Sequence, residues 1–142
     1  MVVIVLLGVL AAVAIPRMVG RTGFEARGFA DEVASALRYG QRSAVAMRRP
    51  VYVLVSPPGG TCSLRLCLDS GCKLPLINPA TNSAFCLRTP ALVALSYSGG
   101  NVSFSFSASG RPTLGVTYTV SSSAPGVSSR IITVEAESGY VR

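Results

Sequence analysis

The chain has 142 residues, of which 49% are hydrophobic and only 13% charged, with a formal net charge of +7. That apolar content excludes a disordered chain, and the charged fraction lies well below the roughly one quarter usual in soluble proteins. Histidine is absent, which removes a His general base, a Ser-His-Asp triad and His metal ligation.

Residues 1–16, "MVVIVLLGVLAAVAIP", carry no charge and are followed by Arg17. Fifteen residues of α-helix before Pro16 span about 22 Å, whereas a bilayer core is about 30 Å thick. A cleaved export signal would carry a basic stretch ahead of the apolar one, and none is present, although Ala12-Val13-Ala14 has the small-residue cleavage pattern. A helix buried in a soluble core is seldom apolar all round at a chain terminus. The run therefore reads as a membrane segment lacking its beginning. Gly8, Ala11, Ala12 and Ala14 are small enough for close approach of a second helix, against the plainer reading of lipid-facing positions.

Residues 17–49 continue in helical character. Pro16, Gly20, Gly23 and Gly28 weaken the helix, each glycine by about 1 kcal/mol relative to alanine. Thr22-Gly23-Phe24-Glu25 has the form of a capping box, which predicts a bend or break followed by a restart. Phe29, Val33, Ala36, Leu37, Gly40, Ala44 and Met47 then share one face, with Arg27, Asp31, Arg38, Arg42 and Arg49 opposite, until Pro50 stops the helix. The stripe predicts packing on a sheet.

From residue 50 to 142 the period becomes two. Strands are predicted at 51–55, 62–68, 93–97, 101–107, 115–120 and 130–136, with a final "YVR" at 140–142. Turns fall at Pro57–Gly60, Ser98–Gly100 and Ser109–Pro112, and residues 69–92 read as a long loop. Short polar turns between successive strands predict a mainly antiparallel sheet built as a meander. The fold class is α+β: a long N-terminal helix, membrane-embedded in its first half and amphipathic in its second, packed on that sheet.

Cys62, Cys67, Cys72 and Cys86 are spaced C-x4-C-x4-C-x13-C, without the paired C-x2-C knuckles of a zinc ribbon. An even number crowded into a loop-rich stretch predicts two disulfides in an exported domain, with all three pairings open. Arg17, Arg21 and Arg27 after the apolar run would hold the domain in the cytoplasm by the positive-inside rule, but the cysteines place it outside.

No catalytic, cofactor-binding or metal site is predicted, and no small-molecule substrate. Lys73, the single lysine, lies in the cysteine loop, where a solvated surface position outweighs a Ser–Lys dyad. Twelve arginines accompany it, and guanidinium groups suit phosphate. Arg38, Arg42, Arg49, Tyr140 and Arg142 are thus candidate contacts to DNA or to an acidic partner, against the reading of a solvated basic surface.

"MVVIVLLGVLAAVAIP" resembles the N-terminal helix of type IV pilins and type II secretion pseudopilins. "FADEVASALRYGQRSAVAMRRPVYV" (29–53) and "ITVEAESGYVR" (132–142) are similar to the corresponding parts of the H-type pseudopilin and FimT-like minor pilin group. The cysteine-containing middle is similar to minor pilins of mannose-sensitive haemagglutinin pili. The resemblance implies that a basic leader ending in glycine precedes Met1, with six further residues, Phe-Thr-Leu-Ile-Glu-Leu, opening a processed and methylated mature chain. Those residues would lengthen the helix to about 31 Å before Pro16.

It also implies one pass through the bacterial inner membrane, with the domain periplasmic or on a surface filament. Gly8, Ala11, Ala12, Ala14 and Pro16 would pack among the helices of neighbouring subunits. The implied task is initiation or tip assembly of a pilus or secretion pseudopilus. The alternative is DNA uptake, since FimT-like pilins use a Gly-Arg-x-Arg tail. Gly139, Tyr140, Val141 and Arg142 match it, with Tyr140 in place of the first arginine.

Overall fold

The computed structural model describes residues 2–56, 60–98 and 103–142, without the side chains of residues 4–22. Helix α1 runs unbroken from Val2 to Met47, 46 residues or about 69 Å. The break predicted at Thr22–Glu25 is absent. Glycine lowers the stability of a turn it occupies, but extending an existing helix needs no new nucleus, so the local penalties do not divide it. Pro16 removes one ladder donor, and the helix passes through it.

The helix ends in a Schellman motif. Arg48 takes a left-handed backbone, φ 51°, its N–H donates to the Val45 carbonyl, and the Arg49 N–H reaches back to Ala44. Pro50 follows. Met47, predicted inside, is 40% exposed, because the stripe leaves the sheet at Ala44 and the last turn extends past it.

Nine strands follow: β1 Val51–Val55, β2 Leu64–Cys67, β3 Ile77–Asn78, β4 Ser83–Ala84, β5 Cys86–Leu87, β6 Val93–Ser98, β7 Ser103–Phe106, β8 Val116–Ser122 and β9 Arg130–Val134. They form a four-stranded sheet in the order β5-β2-β1-β7, a three-stranded sheet in the order β6-β8-β9, and the small hairpin β3-β4. Every pairing is antiparallel. The predicted meander is corrected: β7 pairs with β1, placing Val53 opposite Phe104, while β6 skips it to pair with β8. The stretch predicted as a loop, 69–92, contains β3, β4 and β5. Predicted turns at 57–59 and 99–100 lie outside the described residues.

The helix packs across both sheets. Two lines of its residues face inward, Phe29, Val33, Leu37 and Ala44 on one and Ala30 and Ala34 on the other. They meet Val51, Val53, Leu66 and Phe106 from the first sheet and Val116, Tyr118, Val120 and Ile132 from the second in one core. Each large side chain so buried stabilises the fold by about 1.5–3 kcal/mol relative to an exposed one. A Cβ at Gly40 would lie 3.3 Å from Leu66, so glycine permits close packing of the helix on β2.

The predicted C-terminal hairpin is present. Arg142 exchanges both backbone hydrogen bonds with Thr133, at 3.0 and 2.8 Å, and Val141 bridges to Val134. Two disulfides resolve the pairing: Cys62–Cys86 and Cys67–Cys72. Among the described residues no helix is long and apolar enough to cross a membrane. The span predicted at 1–16, and the packing positions Gly8, Ala11, Ala12, Ala14 and Pro16, concern side chains that mostly lie outside the description.

Candidate subunit interface

The exposed face of α1 is bordered by two grooves of opposite character. Glu25 and Glu32 recur at i and i+7, so they lie on one border of that face with Tyr39. Arg27 and Arg38, at i and i+11, lie on the other, and Arg42 and Asp31 run between. The sequence therefore writes an acidic and a basic edge on a single helix.

On the basic side the helix faces β9 and the C-terminal strand. A groove of about 430 Å³ is lined there by Asp31, Arg38, Arg130, Ile131 and Arg142, over a floor of Ala30 and Ala34. The Arg38 guanidinium donates to the Val141 carbonyl at 3.1 Å, which docks the C-terminal strand on the helix. The Arg142 side chain lies 3.6 Å from the Glu135 carboxylate. Ile131 is 65% exposed, an aliphatic knob next to Arg130.

On the acidic side the helix faces β3 and β5 across a groove of about 490 Å³, lined by Asp31, Glu32, Tyr39, Pro79, Phe85 and Leu87. The Tyr39 and Phe85 rings stack at 5.7 Å, and the Tyr39 hydroxyl donates to the Ile77 carbonyl at 3.0 Å. The apolar floor is thus held in place before anything enters it.

Of the residues singled out in the sequence, Arg38 and Arg142 come together and Arg42 lies exposed nearby on the helix. Arg49 does not join them: its guanidinium donates to the Leu68 carbonyl at 3.3 Å and ties the helix end to the cysteine region. Tyr140 is 62% exposed on the turn before the final strand and lines neither groove. Arg130 was missed by sequence reasoning, since an isolated charge at a strand start has no helical period to join. Its signal was the Arg-Ile-Ile run, in which alternation forces one of two adjacent isoleucines outward.

The cysteine region is set by local bonds. Asp69 accepts from the Leu74 N–H at 2.8 Å and the Lys73 N–H at 3.0 Å. These bonds, Leu74 first, hold its carboxyl below the ordinary carboxylate value. Lys73 sits on this exposed turn.

No protein-family model matches the sequence, and no curated protein matches it either. Solved structures do match the fold. The type IV minor pilin FimU of Pseudomonas aeruginosa is similar with a TM-score of 0.60 and 17% identity, over 83% of this chain and 87% of that one. A second crystal form of FimU gives 0.58 and 16%, over 82% and 90%. The minor pseudopilin EpsH from the Type 2 Secretion System of Vibrio cholerae gives 0.64 and 17%, over 83% and 94%. At this identity the likeness establishes the fold: a helix on antiparallel sheets, α+β, shared with type IV minor pilins and type II pseudopilins.

Proposed function

We propose that the chain is a minor pilin or pseudopilin, a structural subunit without enzymatic activity. It works with other pilin-like subunits to initiate or tip a type IV pilus or secretion pseudopilus. Residues 1–16 anchor it in the bacterial inner membrane, and the disulfide-bonded head lies outside the cytoplasm. The observation that carries this reading is the unbroken 46-residue helix joined to a head of the FimU and EpsH fold. Core burial along that helix, among the described side chains, begins only at Ala26. A helix so much longer than the sheets it packs on needs other helices or lipid for its apolar first half. Deletion of the gene in its native host should abolish surface filaments or protein secretion, with recovery on complementation. Normal filaments and normal secretion in the deletion strain would overturn the reading.

DNA uptake is the second reading, favoured by the gathering of Arg38, Arg130 and Arg142 along one groove. Weighing against it, Arg38 is engaged with Val141 and Arg142 approaches Glu135. A gel shift decides between them. Binding that weakens steeply with salt and is lost in Arg142→Ala would establish uptake, and no shift at low salt would remove it.

A further inference from the structure

We infer that the open edge of β6 receives an extended strand from a different pilin-like subunit, which continues the three-stranded sheet by main-chain pairing. The inference deepens the filament-subunit reading and rests on it for the class of partner.

The four-stranded and three-stranded sheets have four edges, and three of them are short or covered. β5 offers two residues and is followed by the exposed charge of Arg88. β7 is covered by residues 111–113: the Thr113 N–H donates to the Ser105 carbonyl at 2.9 Å and the Ser107 N–H to the Arg111 carbonyl at 2.8 Å. β9 is covered by residues 140–142, and Arg38 in turn takes the Val141 carbonyl. The fourth edge is β6, six residues paired with β8 in unbroken register, about 20 Å long. An edge of that length is ordinarily guarded by lysine, proline or a bulge. β6 has none of these, and although the chain has thirteen basic residues, the stretch 89–110 carries no charge at all.

The register shows which main-chain groups are open. Groups of an antiparallel strand turn alternately to one neighbour and the other. The Ser123 N–H donates to the Leu92 carbonyl at 2.9 Å, so Ala94, Ser96 and Ser98 turn their main-chain groups to β8, and Val93, Leu95 and Tyr97 turn theirs outward. The Val93 N–H is used by the Pro90 carbonyl at 3.2 Å. Among the described residues, the N–H and carbonyl groups of Leu95 and Tyr97 have no partner. Two donors and two acceptors at that spacing are what an added strand engages.

A recess beside the edge selects a side chain. It holds about 210 Å³ and is lined by Ser56, Ser63, Thr89, Pro90, Val93 and Leu95. That is below the roughly 300 Å³ at which small-molecule sites begin, and suits one side chain. Its walls are uncharged, and the Ser63 and Thr89 hydroxyls bond each other. The strand it fits is therefore uncharged over its central residues and turns an aliphatic side chain into the recess. One edge takes one strand, so the contact ends at a single partner, as an initiating or tip subunit requires.

The test places a benzoyl-phenylalanine photo-cross-linker at Ala94, an exposed position, in the full chain expressed in its native host. The expected product joins the chain to another pilin-like subunit and maps by mass spectrometry to an extended segment of it. Leu95→Pro removes one outward N–H without touching the bonds to β8, and should lower the yield about tenfold. Leu95→Ala keeps that N–H and should keep the product, with far-UV circular dichroism checking that both variants fold. Amide exchange on the unsubstituted chain in detergent micelles decides the matter even if Leu95→Pro does not fold. There the Leu95 and Tyr97 amides should exchange at least ~10-fold faster than those of Ala94 and Ser96. Equal protection of the four amides, no product, a product mapping to a helix or to a second copy of this chain, or equal yields from the two variants would each overturn the inference. The deletion phenotype is read separately. Lost filaments or secretion without the strand-mapped product leave the subunit role and remove the edge contact. The product with a silent deletion does the reverse.

Discussion

The segments 62–87 and 103–142 belong to the same head but are held by different means. The first contains β2, which buries Leu64 and Leu66, but beyond it folds into the two-residue strands β3 and β4, mostly exposed, and β5, half-buried, and two disulfides tie it down. The second has no cysteine and is held by burial alone, through Phe104, Phe106, Val116, Tyr118, Val120, Ile132, Val134 and Val141. The lesson is one of substitution. Where apolar residues alternate densely, burial suffices to order the chain. Where Ser, Thr, Asn and Pro dilute them, covalent loop closure does the ordering.

Phe106→Ala attacks the second segment at its centre, a fully buried ring packed edge-on against Phe104 at 5.1 Å. It should cost about 3–5 kcal/mol in urea unfolding. A cost no larger than that of an exposed substitution would break the contrast. Removing Cys62–Cys86 by a double alanine variant should cost about 3 kcal/mol, since it closes a loop with sequence separation 24. Removing Cys67–Cys72, at separation 5, should cost about 2 kcal/mol, and equal or reversed losses would show that loop closure is not the operative term.

Gly139→Ala probes the second segment more gently. Gly139 has φ +70°, and an added Cβ would meet the Gly110 carbonyl and the Gln41 amide. A loss of about 2 kcal/mol, read as a lowered Tm, is expected, and an unchanged Tm would place the turn's importance elsewhere.

The smallest effect concerns acid. Asp69 has its folded pKa depressed, so its contribution is present above the ordinary carboxylate pKa and fades as pH falls through the lowered folded value. The amide resonances of Lys73 and Leu74 should shift together below the usual carboxylate range while those of β8 stay fixed. Simultaneous movement of both would mean global unfolding instead.

How much of this was legible depended on the range of the interaction. The inward face of α1 follows from a 3.6-residue period, and β1 from the short valine-rich run "VYVLV", because both signals lie within a few residues. The continuity of the helix across Gly20, Gly23 and Gly28 did not follow, because local propensity counts penalties without the cooperativity that overrides them. The pairing of β7 with β1 was hidden, as nothing in "SFSF" names a partner some fifty positions earlier. Strands of two residues, such as Ile77–Asn78, carry no period at all. Cysteine spacing left three pairings standing, and only the approach of β5 to β2 selects Cys62–Cys86. At the candidate interface, Arg38 and Arg142 were visible as charges, but their convergence with Arg130 required the third dimension.

The ties between α1 and the C-terminal segment have a consequence for the order of events in folding. Gln41 donates both to Gly110 and to Ser138, each at 3.0 Å, and Arg38 donates to Val141, partners 69, 97 and 103 positions away. The helix therefore cannot seat fully until a segment made about a hundred residues later arrives. A ribosome delivering the chain N-terminus first leaves the inward face of α1 unpacked throughout that interval. Contacts this distant slow the final closure and lengthen the window in which a chaperone can bind.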